Sequence, residues 1–169
     1  MSVAVIFEVE PDPECFEAYL GLAASLAPRL ATVEGFIGNE RFRSRHRPGR
    51  LVSLSLWENE AAAIRWRENA LHRSAQDKGR GGLLKDYRIR VGNIVDGRGD
   101  LVLLQSLEGQ AGRLAAAGYE VFVNIRDPSH ALALGEEPVS GSLLAGVRAM
   151  RVEVLRDYGL MDRDESPRP

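Results

Sequence analysis

Trp57–Val91 reads WENEAAAIRWRENALHRSAQDKGRGGLLKDYRIRV and holds both tryptophans and one of the three histidines. Immediately before it, Val52, Leu54 and Leu56 alternate with Leu51, Ser53, Ser55 and Trp57, the period-two signature of a strand. At its far end Tyr87-Arg88-Ile89-Arg90-Val91 alternates again. Between the two, Asn59 suits the N-cap of a helix opening on Glu60, where a carboxylate complements the positive helix N-terminus. The predicted order is strand, helix, strand.

Upstream, Val3, Val5, Phe7 and Val9 alternate with Ala4, Ile6 and Glu8, so the chain opens with a strand that stops at Pro11-Asp12-Pro13. Asp12 then caps a helix with Pro13 at its first position. Phe16, Tyr19, Leu20, Ala23, Ala27 and Leu30 supply its apolar stripe. Pro28 is expected to kink or end that helix, because it has no N–H and its ring meets the carbonyl of Ala24. Gly35 resets the chain, Phe36 to Arg45 reads as a second strand, and His46-Arg47-Pro48-Gly49 turns it into the third. The sum is βαββαβ, a ferredoxin-like α+β unit with an antiparallel sheet and helices on one face.

Such a unit is complete by Val95, yet after Asp96-Gly97-Arg98-Gly99-Asp100 the chain begins a shorter copy. Leu101 to Ser106 reads as a strand and Gly109 to Ala117 as a short helix. Gly118-Tyr119 echoes Gly35-Phe36, Asp127-Pro128-Ser129 echoes Arg47-Pro48-Gly49, and Met150-Arg151-Val152 echoes Ile89-Arg90-Val91. The expected organisation is residues 1–97, a degenerate repeat at 98–159, and a charged tail at 160–169. The two antiparallel sheets are expected to pack face to face.

At 169 residues, 44% hydrophobic and 27% charged, the composition is that of a soluble globular protein able to bury a core. A net charge of -2 offers no general attraction to nucleic acid. One cysteine, Cys15, excludes an internal disulfide, and no apolar run is long enough to span a membrane. A cytoplasmic address is the expectation.

The first-strand VAVIFEVEP, the strand GFIGNERF, the passage PGRLVSLSLWENEAAA, and RWRENALHRSAQ followed by DYRIRV together resemble the antibiotic biosynthesis monooxygenase (ABM) domains of the dimeric α+β barrel superfamily. The resemblance covers Val3 to about Val95. It implies two ferredoxin-like sheets facing each other, usually across a dimer, which a fused repeat would assemble as a pseudo-dimer within one chain; a homodimer of such chains is also compatible. The family includes cofactor-free oxygenases of phenols and quinols as well as haem-degrading enzymes. Haem degraders resemble one another in a first-strand asparagine and a Trp/His pair, and here those positions hold Phe7 and Glu8, Trp66, and Gln76 in place of the histidine. An amide cannot replace imidazole on iron.

The implied reading is a cofactor-independent monooxygenase of a small aromatic, phenolic or quinol-like, substrate. Trp66 would stack on it, His72 would take its proton, Gln76 or Asn39 would hydrogen-bond the oxygen, and Phe7 and Trp57 would line the site. The alternative is a non-catalytic ligand-binding or assembly module of the same fold. On one continuous helix Trp66 falls opposite Ile64 and Leu71, so either the helix breaks near Glu68-Asn69 or Trp66 reaches the other half. Arg41, Arg43 and Arg45 share a face without stacking aromatics, as a solvated or interface surface does. No histidine or carboxylate spacing suits a metal, and Gly79-Arg80-Gly81-Gly82 lacks the context of a phosphate loop, reading instead as a link or lid.

Overall fold

The computed structural model describes residues 1–69, 79–136 and 140–160. Among the described residues the strands are β1 (Val3–Pro11), β2 (Phe36–Ser44), β3 (Leu51–Trp57), β4 (Leu84–Val95), β5 (Leu101–Leu107), β6 (Glu120–Asn124), β7 (His130–Gly135) and β8 (Arg148–Gly159). Helices α1 (Phe16–Leu30), α2 (Glu60–Glu68) and α3 (Glu108–Ala116) connect them. Asp12 accepts from the Glu14 amide at 2.9 Å, and Asn59 Oδ1 accepts from the Ala62 amide at 3.0 Å, so both expected caps form. Pro28 lies inside α1, which runs two residues further to Leu30. In the last turn the ring costs one bond to Ala24, and the Ala31 amide closes on the Ala27 carbonyl at 3.1 Å.

All strands pair antiparallel in a closed barrel of order β1-β3-β2-β6-β7-β5-β8-β4. Each half contributes four adjacent strands in ferredoxin-like order, β2-β3-β1-β4 and β6-β7-β5-β8. The two sheets face each other and join at both edges. One seam, β2 with β6, is three residue pairs long; the other, β4 with β8, runs from Arg88↔Gly159 to Val95↔Arg151 with a bulge between Val91 and Gly92. Closure leaves no open edge.

The interior is filled from both halves by Ala4, Ile6, Phe42, Val52, Leu54, Leu101, Leu103, Phe122, Leu132, Leu134, Met150 and Val152. Outside the second half, α3 covers Val102, Leu104, Val121, Ala131 and Ala133 with Ala111 and Leu114. The place of a second helix there is taken by a single 3₁₀ turn, Gly141–Leu144. Gly35 and Gly118 take φ +82° and +92° at matching points of the two halves, a conformation glycine adopts without the penalty a side chain imposes. Among the described residues no helix is long and apolar enough to cross a membrane.

Candidate functional site

β3 sorts the two faces of the first sheet. Its even residues Val52 and Leu54 enter the barrel, while Leu51 and Trp57 lie outside beneath the helices. Two apolar clusters occupy that outer face. One gathers Val3, Val5, Leu30, Trp57, Ala62, Trp66, Ile89 and Val91; the other gathers Phe7, Val9, Phe16, Tyr19, Ala23, Leu51 and Tyr87.

Between the clusters runs a polar strip. Cross-strand register places Val5, Ser55 and Asn39 in one row and Phe7, Ser53 and Arg41 in the next. All six are half-buried. Asn39 Nδ2 donates to Ser53 Oγ at 2.8 Å and to the Leu54 carbonyl at 3.2 Å, which uses both of its amide protons. Trp57 Nε1 donates to Ser55 Oγ at 3.0 Å. Each serine oxygen therefore accepts from a fixed donor, and neither O–H has an acceptor among the described residues. Two hydroxyl donors, two residues apart on one strand, are left to address a bound oxygen atom.

Tyr19, on α1, is 7% exposed, and burial pushes its hydroxyl up to about 12, with the Arg41 charge acting weakly the other way. It stays a neutral phenol. Arg41 Nη2 donates to the Ala23 carbonyl of α1 at 2.8 Å.

Of the residues singled out from sequence, Asn39 and Phe7 flank this strip. Trp66 joins the first cluster from α2, which ends at Glu68; Asn69 leaves with ψ 131°. The break at Glu68-Asn69 is thus the alternative that the backbone adopts. Trp57 is 1% exposed, with Phe36 edge-on at 5.3 Å, so its ring belongs to the core and its indole N–H to Ser55. His72 and Gln76 lie outside the described residues. Ser53, Ser55 and Arg41 were not singled out for the site. The available signal was two serines on a strand face otherwise built of Leu51 and Trp57. The three period-two arginines diverge: Arg43 stacks over Phe16 at 5.9 Å, and Arg45 pairs with Glu108 of the other half at 2.8 Å.

A family model described as "Antibiotic biosynthesis monooxygenase" matches residues 2–78. A relative from Pyricularia oryzae named "Jasmonate monooxygenase ABM" is 37% identical, with 97% of this chain and 96% of its own length covered. This chain belongs to the antibiotic biosynthesis monooxygenase family. Among solved structures, Rv0793 from Mycobacterium tuberculosis superposes with a TM-score of 0.53 at 20% identity, covering 57% of this chain and 98% of its own. A candidate monooxygenase from Lactobacillus acidophilus reaches 0.50 at 8% identity while covering 92% of this chain and 95% of its own. These two show the fold: the first is similar to one half of the ABM barrel and the second to the whole of it.

A concavity of about 460 Å³ opens at a mouth of the ABM barrel, lined by Glu40, Phe42, Gln105, His130 and Arg148 among others. The Glu40 carboxylate there is already engaged by Asn124 at 3.1 Å and Gln105 at 3.3 Å. Among the described residues no group of three or more metal-ligating side chains assembles.

Proposed function

We propose that this protein is a cofactor-independent monooxygenase that holds a small phenolic or quinol-like molecule on the outer face of its first half, residues 1–97, with residues 98–159 serving to close the barrel beneath it. The carrying observation is the Ser53/Ser55 pair, whose oxygens are occupied by Asn39 and Trp57 and whose protons remain to be given. Loss of a phenolic proton makes the substrate an electron-rich anion able to reduce dioxygen. At a ring CH2 activated in this way, one oxygen atom becomes a carbonyl and the other leaves as water with the two hydrogens. The protein's part is to desolvate the anion between the Phe7 and Trp66 clusters and to hydrogen-bond the developing oxyanion through Ser53 and Ser55. Asn39 acts through Ser53, because its own amide protons are spent. In this reading His72 is the base and Gln76 a further hydrogen-bond partner, and the protein acts in the cytoplasm.

The relative's name supports a second substrate, a jasmonate, in the same place, where loss of a proton from the ring CH2 beside its ketone would give the anion and the same balance of one oxygen into a carbonyl and one into water. Oxygen uptake in air without added cofactor, measured on a hydroxyanthrone and on jasmonate, tests both. Uptake matched by product on either, and lost in the Ser53→Ala/Ser55→Ala double variant, is expected. No uptake on either overturns the proposal.

A further inference from the structure

We propose that Arg41 is a specificity residue that pairs with a carboxylate on the substrate, so that the groove selects a small apolar molecule carrying one negative charge; this rests on the first-half groove being the substrate site. Arg41 stands directly across from Ser53 in the β2–β3 register, on the same outer face as Phe7. Its guanidinium is half-buried and bonded to the Ala23 carbonyl. No carboxylate among the described residues lies within ion-pairing distance of it.

Several other arginines of this chain meet carboxylates. Arg45 meets Glu108, Arg50 and Arg90 share Glu8, Arg88 meets Asp157, and Arg156 meets Glu60. Arg41 meets the Ala23 carbonyl instead. Burial most of all lowers its pKa, Tyr19 opposes it, and Arg126 adds the smallest lowering, yet a guanidinium remains charged under any ordinary condition. A partly desolvated cation without a carboxylate partner is costly in the empty protein, and an arriving anion relieves that cost. A planar fork with free N–H groups matches a carboxylate in particular. The surrounding Val5, Phe7 and Ile89 suit an apolar body, and the Ser53 hydroxyl lies within one strand spacing for the oxygen that reacts.

The test is calorimetric binding without oxygen, using two acid and ester pairs: jasmonate with methyl jasmonate, and 2-naphthoate with methyl 2-naphthoate. Wild-type protein should bind at least one acid about tenfold more tightly than its ester, with the preference shrinking as salt is raised. Arg41→Gln should bring acid and ester within about twofold while leaving ester affinity unchanged. Arg43→Gln, altered where Arg43 stacks on Phe16, should keep the preference. Equal affinity for acid and ester in wild type, no binding of any of the four, or a preference surviving in folded Arg41→Gln would each overturn the inference. Should Arg41→Gln not fold, the wild-type acid-to-ester ratio, its salt dependence and Arg41→Lys decide. Failure of the monooxygenase reading would appear separately, as absent oxygen uptake with the binding preference intact.

Discussion

Glu8 is 4% exposed inside one mouth of the barrel, and its Oε2 lies 2.5 Å from Arg90 Nη2. Its other oxygen meets Arg50 Nη2 at 3.0 Å. One carboxylate is thus shared by two guanidinium groups that the closed barrel has removed from water. Glu8→Ala leaves Arg90 buried without a carboxylate and Arg50 with only Glu120 at 3.5 Å, and should cost about 3–5 kcal/mol in urea unfolding. Glu8→Leu combined with Arg50→Leu and Arg90→Met should recover most of that loss, since well-packed apolar replacements of buried ion networks are close to neutral. A loss below about 1 kcal/mol for Glu8→Ala would show that the network is hydrated.

The long seam between the halves depends on Gly92. A Cβ there would collide with the Glu153 carbonyl oxygen and come within 2.6 Å of Val152 Cγ1. Backbone cannot yield as a flexible side-chain end can, so Gly92→Ala should destabilise by more than about 2 kcal/mol. Gly97→Ala, where nothing lies within 4 Å, should stay within about 0.5 kcal/mol of wild type. Denaturant midpoints of the two variants check the contrast.

Tyr19 makes stability sensitive to alkali. Its pKa in the folded chain is pushed up to about 12 by burial, against an ordinary value near 10. Below the unfolded value both states hold the proton and nothing changes with pH. Above it the unfolded chain ionises first, so stability falls as pH rises toward the folded value, by roughly 2–3 kcal/mol in all. Burial raises Tyr158 in the same direction, so Tyr19→Phe should flatten part of the slope between pH 10 and 12. An unchanged slope would place the effect elsewhere.

If His72 removes the substrate proton, the turnover rate on a hydroxyanthrone should rise with pH through about 6.5 and then level off, because the neutral imidazole is the active form. In His72→Ala the rise should vanish and the plateau should drop by about 10²–10⁴-fold. A retained profile would remove His72 from the chemistry.

Much of this architecture is legible in the residues. The alternation of Val52, Leu54 and Leu56 against Leu51 and Trp57 announces a strand buried on both faces, and the structure puts one set inside the barrel and the other under α2 and α1. Asn59 and Asp12 are short-range signals, and both caps form. Closure is different in kind. Nothing local in Phe42 to Ser44 specifies Phe122 to Asn124 as its partner, because that pairing follows from the twist of two whole sheets. Arg41, Arg43 and Arg45 share one sequence period but meet an α1 carbonyl, an α1 ring and an α3 carboxylate respectively; only the placement of the helices separates them. Ser53 and Ser55 read as ordinary strand residues until Asn39 and Trp57 are seen occupying their oxygens.

The central claim, that Ser53 and Ser55 serve an oxygen-inserting site on the outer face of the first half, is tested most directly by ¹⁸O₂ labelling of a hydroxyanthrone substrate by wild type and by Ser53→Ala/Ser55→Ala. Wild type should place one atom of label from O₂ in the new carbonyl, and the double variant, still folded though destabilised by the loss of the acceptors of Asn39 and Trp57, should lose about 10²–10³-fold in rate. Label arriving from water, or an undiminished rate in the folded double variant, would contradict the claim.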